Sequence, residues 1–289
     1  MESIHMQRRQ TMIEACTGKE KEYVGNNSAK IVGDHIVVDR NHKIVYCGIE
    51  KVGSSFWRRI FQLFSPNPMY WSLIGKYIMR TIRKNASRIS LECGHDVTFA
   101  EFIKYFIRSQ LTNKNRDGHF IPMYDHCRPC RIHYDYIGKM ENFKKDSLYI
   151  LDILGFRHLK NSLSHFDNQS LHDTISDQVD NLFGYSGGYK NCISFHDAFR
   201  RLWVKFQIRG ILSPNIKFSF TEMQTKSLSR KKLKSILTEI IFKQNDRETL
   251  RLTKEKAMLD SYNTVDYTDL ELLSIILQPD CEIFGYDSH

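Results

Sequence analysis

The sequence predicts an α/β fold that is followed by a helical C-terminal region. The stretch "KIVYCGI" (43–49) is short, rich in β-branched residues and bounded by Gly48, which predicts a buried strand. The stretch "SSFWRRIFQLF" (54–64) repeats apolar residues at helical spacing, after two serines suited to cap a helix. A strand, a glycine-bearing loop and a helix therefore follow one another.

The loop between this strand and this helix, "GIEKVGSS", comes within one residue of the phosphate-binding pattern G-x-x-x-x-G-K-[ST]. Position 54 is serine, and the lysine stands three residues earlier, at Lys51. A lysine, the hydroxyls of Ser54 and Ser55 and backbone N–H groups at a helix start are suited to hold a phosphate-like anion. The same glycines and serines are also ordinary turn and cap residues. The displaced lysine argues against transfer of a terminal phosphate.

Helix-breaking and capping residues organise the next part of the chain. Pro66 and Pro68 disfavour a helix at the residues that precede them, and a basic helix is expected at about 70–86. Thr98 and Glu101 predict a capping box before the amphipathic helix in "VTFAEFIKYFIRSQL".

The remaining segments differ in periodicity. "IHYDYIG" (132–138) predicts a strand, and "FKKDSLYILDILG" predicts a helix that ends at Gly155. Residues 157–191 are polar and weakly periodic, which predicts an insertion or a long surface loop. Residues 1–30 predict a poorly ordered lead-in to a single domain over 31–289. Helices are predicted in "SFHDAFRRLWVKFQIRGIL", "SRKKLKSILTEIIFKQN", "DRETLRLTKEKAMLDSYNTV" and "DYTDLELLSIIL".

The net charge favours an anionic partner. The 289 residues include 42 Lys+Arg and 33 Asp+Glu, a formal charge of +9. The positive residues cluster twice, at Lys76, Arg80, Arg83, Lys84 and Arg88 and at Arg230, Lys231, Lys232 and Lys234. The helical spacing of the first cluster fits a solvated helix face as well as a binding surface.

Membrane and redox signals are weak. No window approaches the roughly 18 apolar residues of a membrane span, and the N-terminal residues lack a signal-peptide pattern. Seven cysteines without dense spacing are compatible with either redox compartment. Three N-x-[ST] sequons begin at Asn26, Asn85 and Asn168, close to the number expected by chance.

Several side chains suggest chemistry of their own. Cys127 and Cys130 form a C-x-x-C pair beside His126 and His133, which are zinc-ligand types, but a disulfide or plain buried thiols are alternatives. His119 stands near a predicted strand end and is a candidate general base. The helix "AFRRLWVKFQIRGIL" interleaves arginines with aromatic residues, a pattern that fits nucleic-acid binding or a core-facing helix with a basic outer face.

Six segments, taken in order, resemble one family of enzymes. They are "HIVVDRNHKIVYCGIEKVGSSFWRRIF", "NPMYWSLIGKYIMRTIRKNAS", "VTFAEFIKYF", "PMYDHCRPCRIHYDYIGKMENFKKDSLYILDILG", "AFRRLWVKFQIRGIL" and "LLSIILQPDCEIFGY". Together they resemble the Golgi carbohydrate sulfotransferases of the chondroitin and dermatan 4-O-sulfotransferase group. The resemblance covers roughly residues 35–156 and 192–286.

The resemblance implies a fold, a co-substrate and a site. The fold would be a P-loop-like, mostly parallel sheet flanked by helices, and the sulfuryl donor would be 3′-phosphoadenosine 5′-phosphosulfate (PAPS). The loop that matches the family's phosphosulfate-binding element comprises Lys51, Val52, Gly53, Ser54, Ser55, Phe56 and Trp57. His119 matches a family histidine just upstream of "C-x-P-C", and it would act as the base with Lys51 as the second catalytic residue. The acceptor would be a hydroxyl of a glycosaminoglycan, in the Golgi lumen; no metal and no nucleic acid are expected.

The chain also departs from this family. The family's 3′-phosphate-binding strand and helix are expected before the "NP" segment, but "FQLF" runs directly into "SPNPMYW", so the sheet would be incomplete. The family's N-terminal membrane anchor is also missing, Glu50 replaces a usual proline, and Phe56 replaces a polar residue. A catalytically inactive glycan-binding relative is therefore the second hypothesis, and a zinc- or nucleic-acid-binding protein is the third.

Overall fold

Helices dominate the part of the chain that the structure describes. The computed structural model describes residues 1–19, 36–40, 43–47, 68–156, 166–184, 191–244 and 246–287. Its helices are α1 (Glu2–Cys16), α2 (Pro68–Thr81), α3 (Arg88–Cys93), α4 (Phe99–Thr112), α5 (Met123–Cys127), α6 (Phe143–Ile153), α7 (Phe166–Gly184), α8 (Phe195–Ile208), α9 (Glu222–Lys226), α10 (Arg230–Lys243), α11 (Arg247–Tyr262) and α12 (Tyr267–Phe284). Its strands are β1 (Ile36–Asp39) and β2 (Ile44–Cys47).

Contacts between residues divide the chain into two compact units. Unit 1 comprises Met1–Phe56, Phe106–Ser164 and Tyr267–His289. Unit 2 comprises Trp57–Tyr105 and His165–Asp266. The single domain over 31–289 stays a prediction.

The two strands pair in an antiparallel hairpin. Ile36 lies opposite Cys47, and Asp39 lies opposite Ile44. The strand predicted within 43–49 is confirmed, but its predicted burial is wrong, because Val45 and Tyr46 are 49% and 61% exposed. Within the described ranges this hairpin is the only sheet. The mostly parallel sheet stays a prediction, and the helix predicted at 54–64 lies outside the described residues.

The first helix corrects the expectation of a poorly ordered lead-in. Residues 2–16 form α1, which packs against α12. Only His5, Met12 and Cys16 of α1 are buried, so its apolar stripe is too sparse to be seen as a periodic pattern. The helix is stabilised by tertiary contacts: Met12 and Cys16 share a small core with Ile283, and Cys16 forms a disulfide with Cys130.

A buried carboxylate lies beside residues 132–138, where the predicted strand does not form. Asp146, at the start of α6, is 2% exposed and accepts hydrogen bonds from Arg8 Nη1 at 2.6 Å and from the Lys139 amide at 2.8 Å. Arg8 also donates to the Ile137 carbonyl oxygen at 2.8 Å. Two backbone groups, of Ile137 and Lys139, are thus bonded to side chains, and residues 132–138 are not in a strand, so the predicted strand is wrong.

The core of unit 2 includes a helix where a surface loop was expected. Residues 166–184 form α7, whose Ile175, Val179 and Leu182 are buried against α8 and α10. This corrects the prediction of an insertion or loop over 157–191 for the described residues. The three apolar residues stand four and three apart, a helical spacing that the surrounding polar residues concealed.

The aromatic stripe of α8 faces this core. Phe199, Leu202, Trp203 and Phe206 are at most 2% exposed, which confirms the interpretation of a core-facing helix. The predicted basic outer face is only partly present, because Lys205 is fully buried and donates to Gln178 Oε1 at 2.6 Å.

Other predicted helix signals are confirmed. The capping box before α4 is formed, with the Thr98 amide donating to Glu101 Oε2 at 2.9 Å and the Glu101 amide donating to Thr98 Oγ1 at 3.2 Å. Helix α6 ends at Ile153 and is followed by Gly155 at φ +79°, a conformation that favours glycine. The predicted basic helix ends at Thr81, earlier than expected.

Two glycines allow α2 and α3 to meet closely. A Cβ atom on Gly75 would lie 2.2 Å from the Gly94 carbonyl oxygen, and one on Gly94 would lie 2.3 Å from the Lys76 amide nitrogen. Gly94 also has φ +59° and ends α3. The backbones therefore touch at a point where any larger residue would push them apart.

We expect Gly75→Ala to lower the free energy of unfolding by about 1–3 kcal/mol, although Gly→Ala inside a helix ordinarily stabilises by up to about 1 kcal/mol. Gly184→Ala is the matched control, because Gly184 is also helical and a Cβ atom added there would meet no atom of the described residues within 4 Å, apart from its own helix backbone and chain neighbours. Urea denaturation of both variants measures the difference. Equal stability of the two variants would show that the close contact is unimportant.

Candidate active site

The predicted base lies on a short turn between α4 and α5. Residues Gly118–Phe120 form one turn of 3-10 helix, which sets the backbone of His119; the side chain of His119 lies outside what the structure describes. The next two residues, Phe120 and Ile121, are 5% and 4% exposed. Gln110 Nε2 of α4 donates to the Phe120 carbonyl oxygen at 3.3 Å. The turn is thus packed into unit 1 through its neighbours.

Two buried carboxylates hold the segment that follows the turn. Arg116 and Asp125, which are 7% and 1% exposed, form an ion pair that joins the residues on either side of His119. Asp280 of α12 accepts hydrogen bonds from the amides of Met123 and Tyr124 at 2.7 and 2.6 Å. These amides belong to the first turn of α5, where backbone N–H groups have no helical partner.

Burial changes the protonation of Asp280. It raises the pKa of the carboxyl group to about 7, and the nearby charge of Asp125 adds to this effect. The two backbone donors favour the ionised form and act in the opposite direction. Asp280 therefore titrates in a range that a surface aspartate does not reach.

Disulfides attach two distant segments to α5 and to the residues just after it. Cys47, the last residue of β2, is bonded to Cys127 with a Cα–Cα distance of 5.6 Å. Cys130 is bonded to Cys16 with a Cα–Cα distance of 5.1 Å. The two cysteines of the C-x-x-C pair thus bind separate partners and do not bind each other.

This pairing overturns the zinc hypothesis for "HCRPC". A cysteine that binds zinc must be a thiolate, and both sulfur atoms are consumed in disulfides. Among the described residues, no group of His, Cys, Asp and Glu side chains is arranged to hold a metal ion.

The proposed phosphosulfate loop lies outside the described residues. This applies to Lys51, Val52, Gly53, Ser54, Ser55, Phe56 and Trp57, whose roles stay predictions. The structure does place the strand that leads into the loop, because β2 ends four residues before Lys51 and is bonded at Cys47 to α5.

Some residues of the two basic clusters form ion pairs with carboxylates of the same chain. Arg83 donates to Asp96 at 2.5 Å and to Glu101 at 2.6 Å, and Lys234 pairs with Asp180 of α7 at 2.6 Å. These ion pairs join helices of unit 2. Phe199, Trp203 and Phe206 of α8 are buried and Phe195 is partly buried, so they do not form a stacking surface for nucleic-acid bases.

Sequence reasoning missed the residues that position the site. Asp280 stands in an apolar C-terminal helix, and an aspartate within such a stretch could have been recognised as a buried capping group. The cysteine partners lie 80 and 114 residues apart, and no local signal predicts which cysteines pair.

The chain belongs to the sulfotransferase family. The sequence profile of that family matches residues 34–73 and 62–182, which together make up just over half of the chain. The match includes the predicted phosphosulfate loop, the hairpin and the His119 turn. It confirms the resemblance drawn from the sequence.

Individual relatives are carbohydrate sulfotransferases at low identity. Carbohydrate sulfotransferase 11 of Mus musculus is 23% identical over 222 residues, which cover 53% of this chain and 62% of the relative. Carbohydrate sulfotransferase 14 of Danio rerio is 26% identical over 184 residues, covering 44% and 50%. Carbohydrate sulfotransferase 9 of Homo sapiens is 25% identical over 181 residues, covering 42% and 41%. The chain thus spans less than two thirds of the length of these relatives.

The extent of the alignment indicates residues that this chain lacks. The alignment with the mouse relative is 222 positions long, which is more than the number of residues in the 53% of this 289-residue chain that it covers. The mouse relative therefore has internal residues without a counterpart here. No solved structure matches the chain. Among the described helices, none is both long and apolar enough to span a bilayer.

We expect the stability of Asp280→Asn to depend on pH differently from that of the wild type. Because the folded-state pKa of Asp280 is about 7 and the ordinary value is near 4, the protonated form stabilises the fold below pH 4. This contribution is lost as the pH rises to about 7. The free energy of unfolding of the wild type, relative to that of Asp280→Asn, should therefore fall between pH 4 and 7 by at most about 1.4 kcal/mol per pH unit.

Urea denaturation of both proteins between pH 4.5 and 8 measures this difference. Asp135→Asn, at an exposed position of unit 1, checks the effect of removing one carboxylate charge. A difference between wild type and Asp280→Asn that stays constant with pH would contradict the assignment.

Proposed function

We propose that the protein is a PAPS-dependent carbohydrate O-sulfotransferase that acts on a glycosaminoglycan such as chondroitin or dermatan. The main support for this proposal is the Cys47–Cys127 disulfide, which attaches the strand before Lys51 to the helix after His119. In a sulfotransferase-family chain, this is the juxtaposition that transfer from a phosphosulfate to a hydroxyl requires.

The two proposed catalytic residues act on opposite sides of the sulfur atom. His119 takes the proton of the sugar hydroxyl as the oxygen attacks, and a new S–O bond forms. The bond between sulfur and the bridging oxygen breaks, and its electron pair stays on the 5′-phosphate. Lys51 and the backbone N–H groups of Gly53, Ser54, Ser55 and Phe56 offset the negative charge that develops there.

The surroundings of His119 suit a base that must be held in position. The Arg116–Asp125 ion pair and the Asp280 hydrogen bonds restrict the segment on which His119 stands. A fixed backbone reduces the entropy that must be lost when the acceptor hydroxyl is aligned.

The cysteines support a location in the secretory pathway. Six of the seven cysteines form disulfides, which persist in oxidising compartments such as the endoplasmic reticulum and the lumen beyond it. Asn85 and Asn168, each the first residue of a sequon, are exposed. We therefore propose a glycoprotein on the luminal side of the Golgi membrane.

A catalytically inactive glycan-binding relative is the second candidate. The internal residues of the mouse relative that have no counterpart here favour it, together with Glu50 beside the proposed phosphosulfate loop. Calorimetry with 3′-phosphoadenosine 5′-phosphate distinguishes the two candidates. Heat of binding supports the enzyme, whereas no heat together with retention on a heparin column supports the inactive relative.

We expect Lys51→Ala to lower the affinity for 3′-phosphoadenosine 5′-phosphate by about tenfold or more, because a charge-assisted contact to the 5′-phosphate is lost. Lys43→Ala is the matched control, since Lys43 is an exposed lysine in the turn between the two strands. Calorimetric titration measures both variants. Unchanged affinity of Lys51→Ala would exclude the loop assignment.

We expect His119→Ala to lower kcat by about 100-fold or more while the affinity for the sulfuryl donor changes little, because a general base acts on the acceptor hydroxyl. His133→Ala, at an exposed position, should retain kcat. Transfer of radiolabelled sulfate to desulfated chondroitin measures kcat, and calorimetry measures donor affinity. Equal losses of kcat and donor affinity would indicate a structural role for His119.

A further inference from the structure

Unit 2 contains a cavity whose lining includes none of the predicted site residues. Its volume is about 980 Å³, within the range of small-molecule sites. Three segments form its walls: residues 95–100 at the start of α4, residues 193–204 along α8, and residues 260–264 at the end of α11.

Covalent and hydrogen bonds join two of these walls. The Cys93–Cys192 disulfide connects the residues just before the first wall to those just before the second, with a Cα–Cα distance of 5.8 Å. Arg201 Nη1 donates to the His95 carbonyl oxygen at 2.8 Å. The cavity is therefore a built feature of unit 2, and the position of Arg201 within it is fixed.

The charged residues that line the cavity differ in whether they form ion pairs. Asp96 is paired with Arg83 at 2.5 Å, Asp197 is paired with Arg200, and Asp260 is paired with Lys256 at 3.1 Å. Within the described part of the chain, Arg201 has no ion-pair partner. Asp197 and Asp96 are close enough to attract its charge but not close enough to form a salt bridge. Arg201 is thus a cavity-lining cation that forms no salt bridge among the described residues, although the charges around the cavity balance when Glu101, the second partner of Arg83, is included.

Arg201 has N–H groups that can bind a ligand. Partial burial lowers the pKa of its guanidinium group. Arginine remains charged in proteins despite such shifts. A guanidinium group has five N–H donors, and the hydrogen bond to His95 uses one of them. An oxyanion bound at this wall would accept hydrogen bonds from two of the others.

The rest of the wall suits a sugar ring. Burial is the main cause that lowers the pKa of His95, and the charge of Arg201 adds to it, so the imidazole is neutral near pH 7. Its Nδ1 atom is buried and has no hydrogen-bond partner in the described residues. Val204 is 46% exposed and adds an apolar surface, as does the partly buried Ile193. A sugar presents this combination of apolar faces and polar groups.

We propose that this cavity binds a hexuronic-acid unit of the glycan acceptor and that Arg201 pairs with the carboxylate of that unit. The planar guanidinium group matches a carboxylate by two parallel hydrogen bonds. The proposal rests on the proposed function, because it takes the acceptor to be a glycosaminoglycan. A sulfate ester on the same chain is the other source of an oxyanion, and the experiment separates the two.

The test is a cycle of one substitution and one change of ligand, measured by calorimetry without a sulfuryl donor. The ligands are an unsulfated chondroitin hexasaccharide and the same oligosaccharide with its carboxyl groups reduced to hydroxymethyl groups. We expect Arg201→Gln to weaken binding of the first ligand by about tenfold or more. Carboxyl reduction should weaken wild-type binding similarly and should have little further effect on Arg201→Gln.

Arg251→Gln is the matched control, because it removes the same charge from an exposed site on α11, outside the cavity lining. It should change the affinity by less than about twofold. Arg201→Lys keeps the charge and should bind the first ligand more tightly than Arg201→Gln. If Arg201→Gln does not fold, the comparison of the two oligosaccharides on the wild-type protein and on Arg201→Lys makes the same test.

Three outcomes would overturn the proposal: equal binding by wild type and Arg201→Gln, independent effects of the substitution and the carboxyl reduction, or no binding of the unsulfated oligosaccharide. Restored binding of a carboxyl-reduced oligosaccharide by added sulfate esters would assign the cavity to sulfate instead. Failure of the proposed function is seen separately. It would appear as no heat with 3′-phosphoadenosine 5′-phosphate and no sulfuryl transfer, whatever Arg201 does.

Discussion

The Cys47–Cys127 disulfide is the constraint on which the candidate active site depends. The β1–β2 hairpin has only four residues in each strand and exposes Val45 and Tyr46, so it is too small to be stable alone. Closing a loop of 80 residues stabilises a fold by about 4 kcal/mol in the chain-entropy description. Because the disulfide ends on α5, it also sets which helix the strand before Lys51 meets.

Buried charged groups also hold α5, the helix on which this disulfide ends. Asp280 holds the first turn of α5, and the Arg116–Asp125 ion pair closes the segment that carries His119. Such groups are costly to bury unless hydrogen bonds satisfy them, so each one favours a single arrangement of the surrounding backbone. In unit 2, a disulfide and a charged side chain likewise join the cavity walls: Cys93 is bonded to Cys192, and Arg201 donates a hydrogen bond to His95.

Sequence reasoning succeeded where the signal is local. The capping box of Thr98 and Glu101, the end of α6 near Gly155 and the core face of α8 each depend on residues within a few positions of one another. It failed for α1 and α7, whose buried residues are few among polar ones, and for the strand at 132–138. In each case contacts with other segments determine the conformation, and these contacts cannot be seen in the local sequence pattern.

The sequence by itself determined the family, the order of most helices and the loop and histidine expected to act in sulfuryl transfer. Those conclusions depend on short motifs and on helical periodicity, which are properties of neighbouring residues. Only the tertiary structure decided which cysteines pair, that Asp280 caps α5, and that Arg201 lies beside a cavity and forms no salt bridge with another described residue. These features join residues that are 80 or more positions apart, and their energies exist only once the chain has folded.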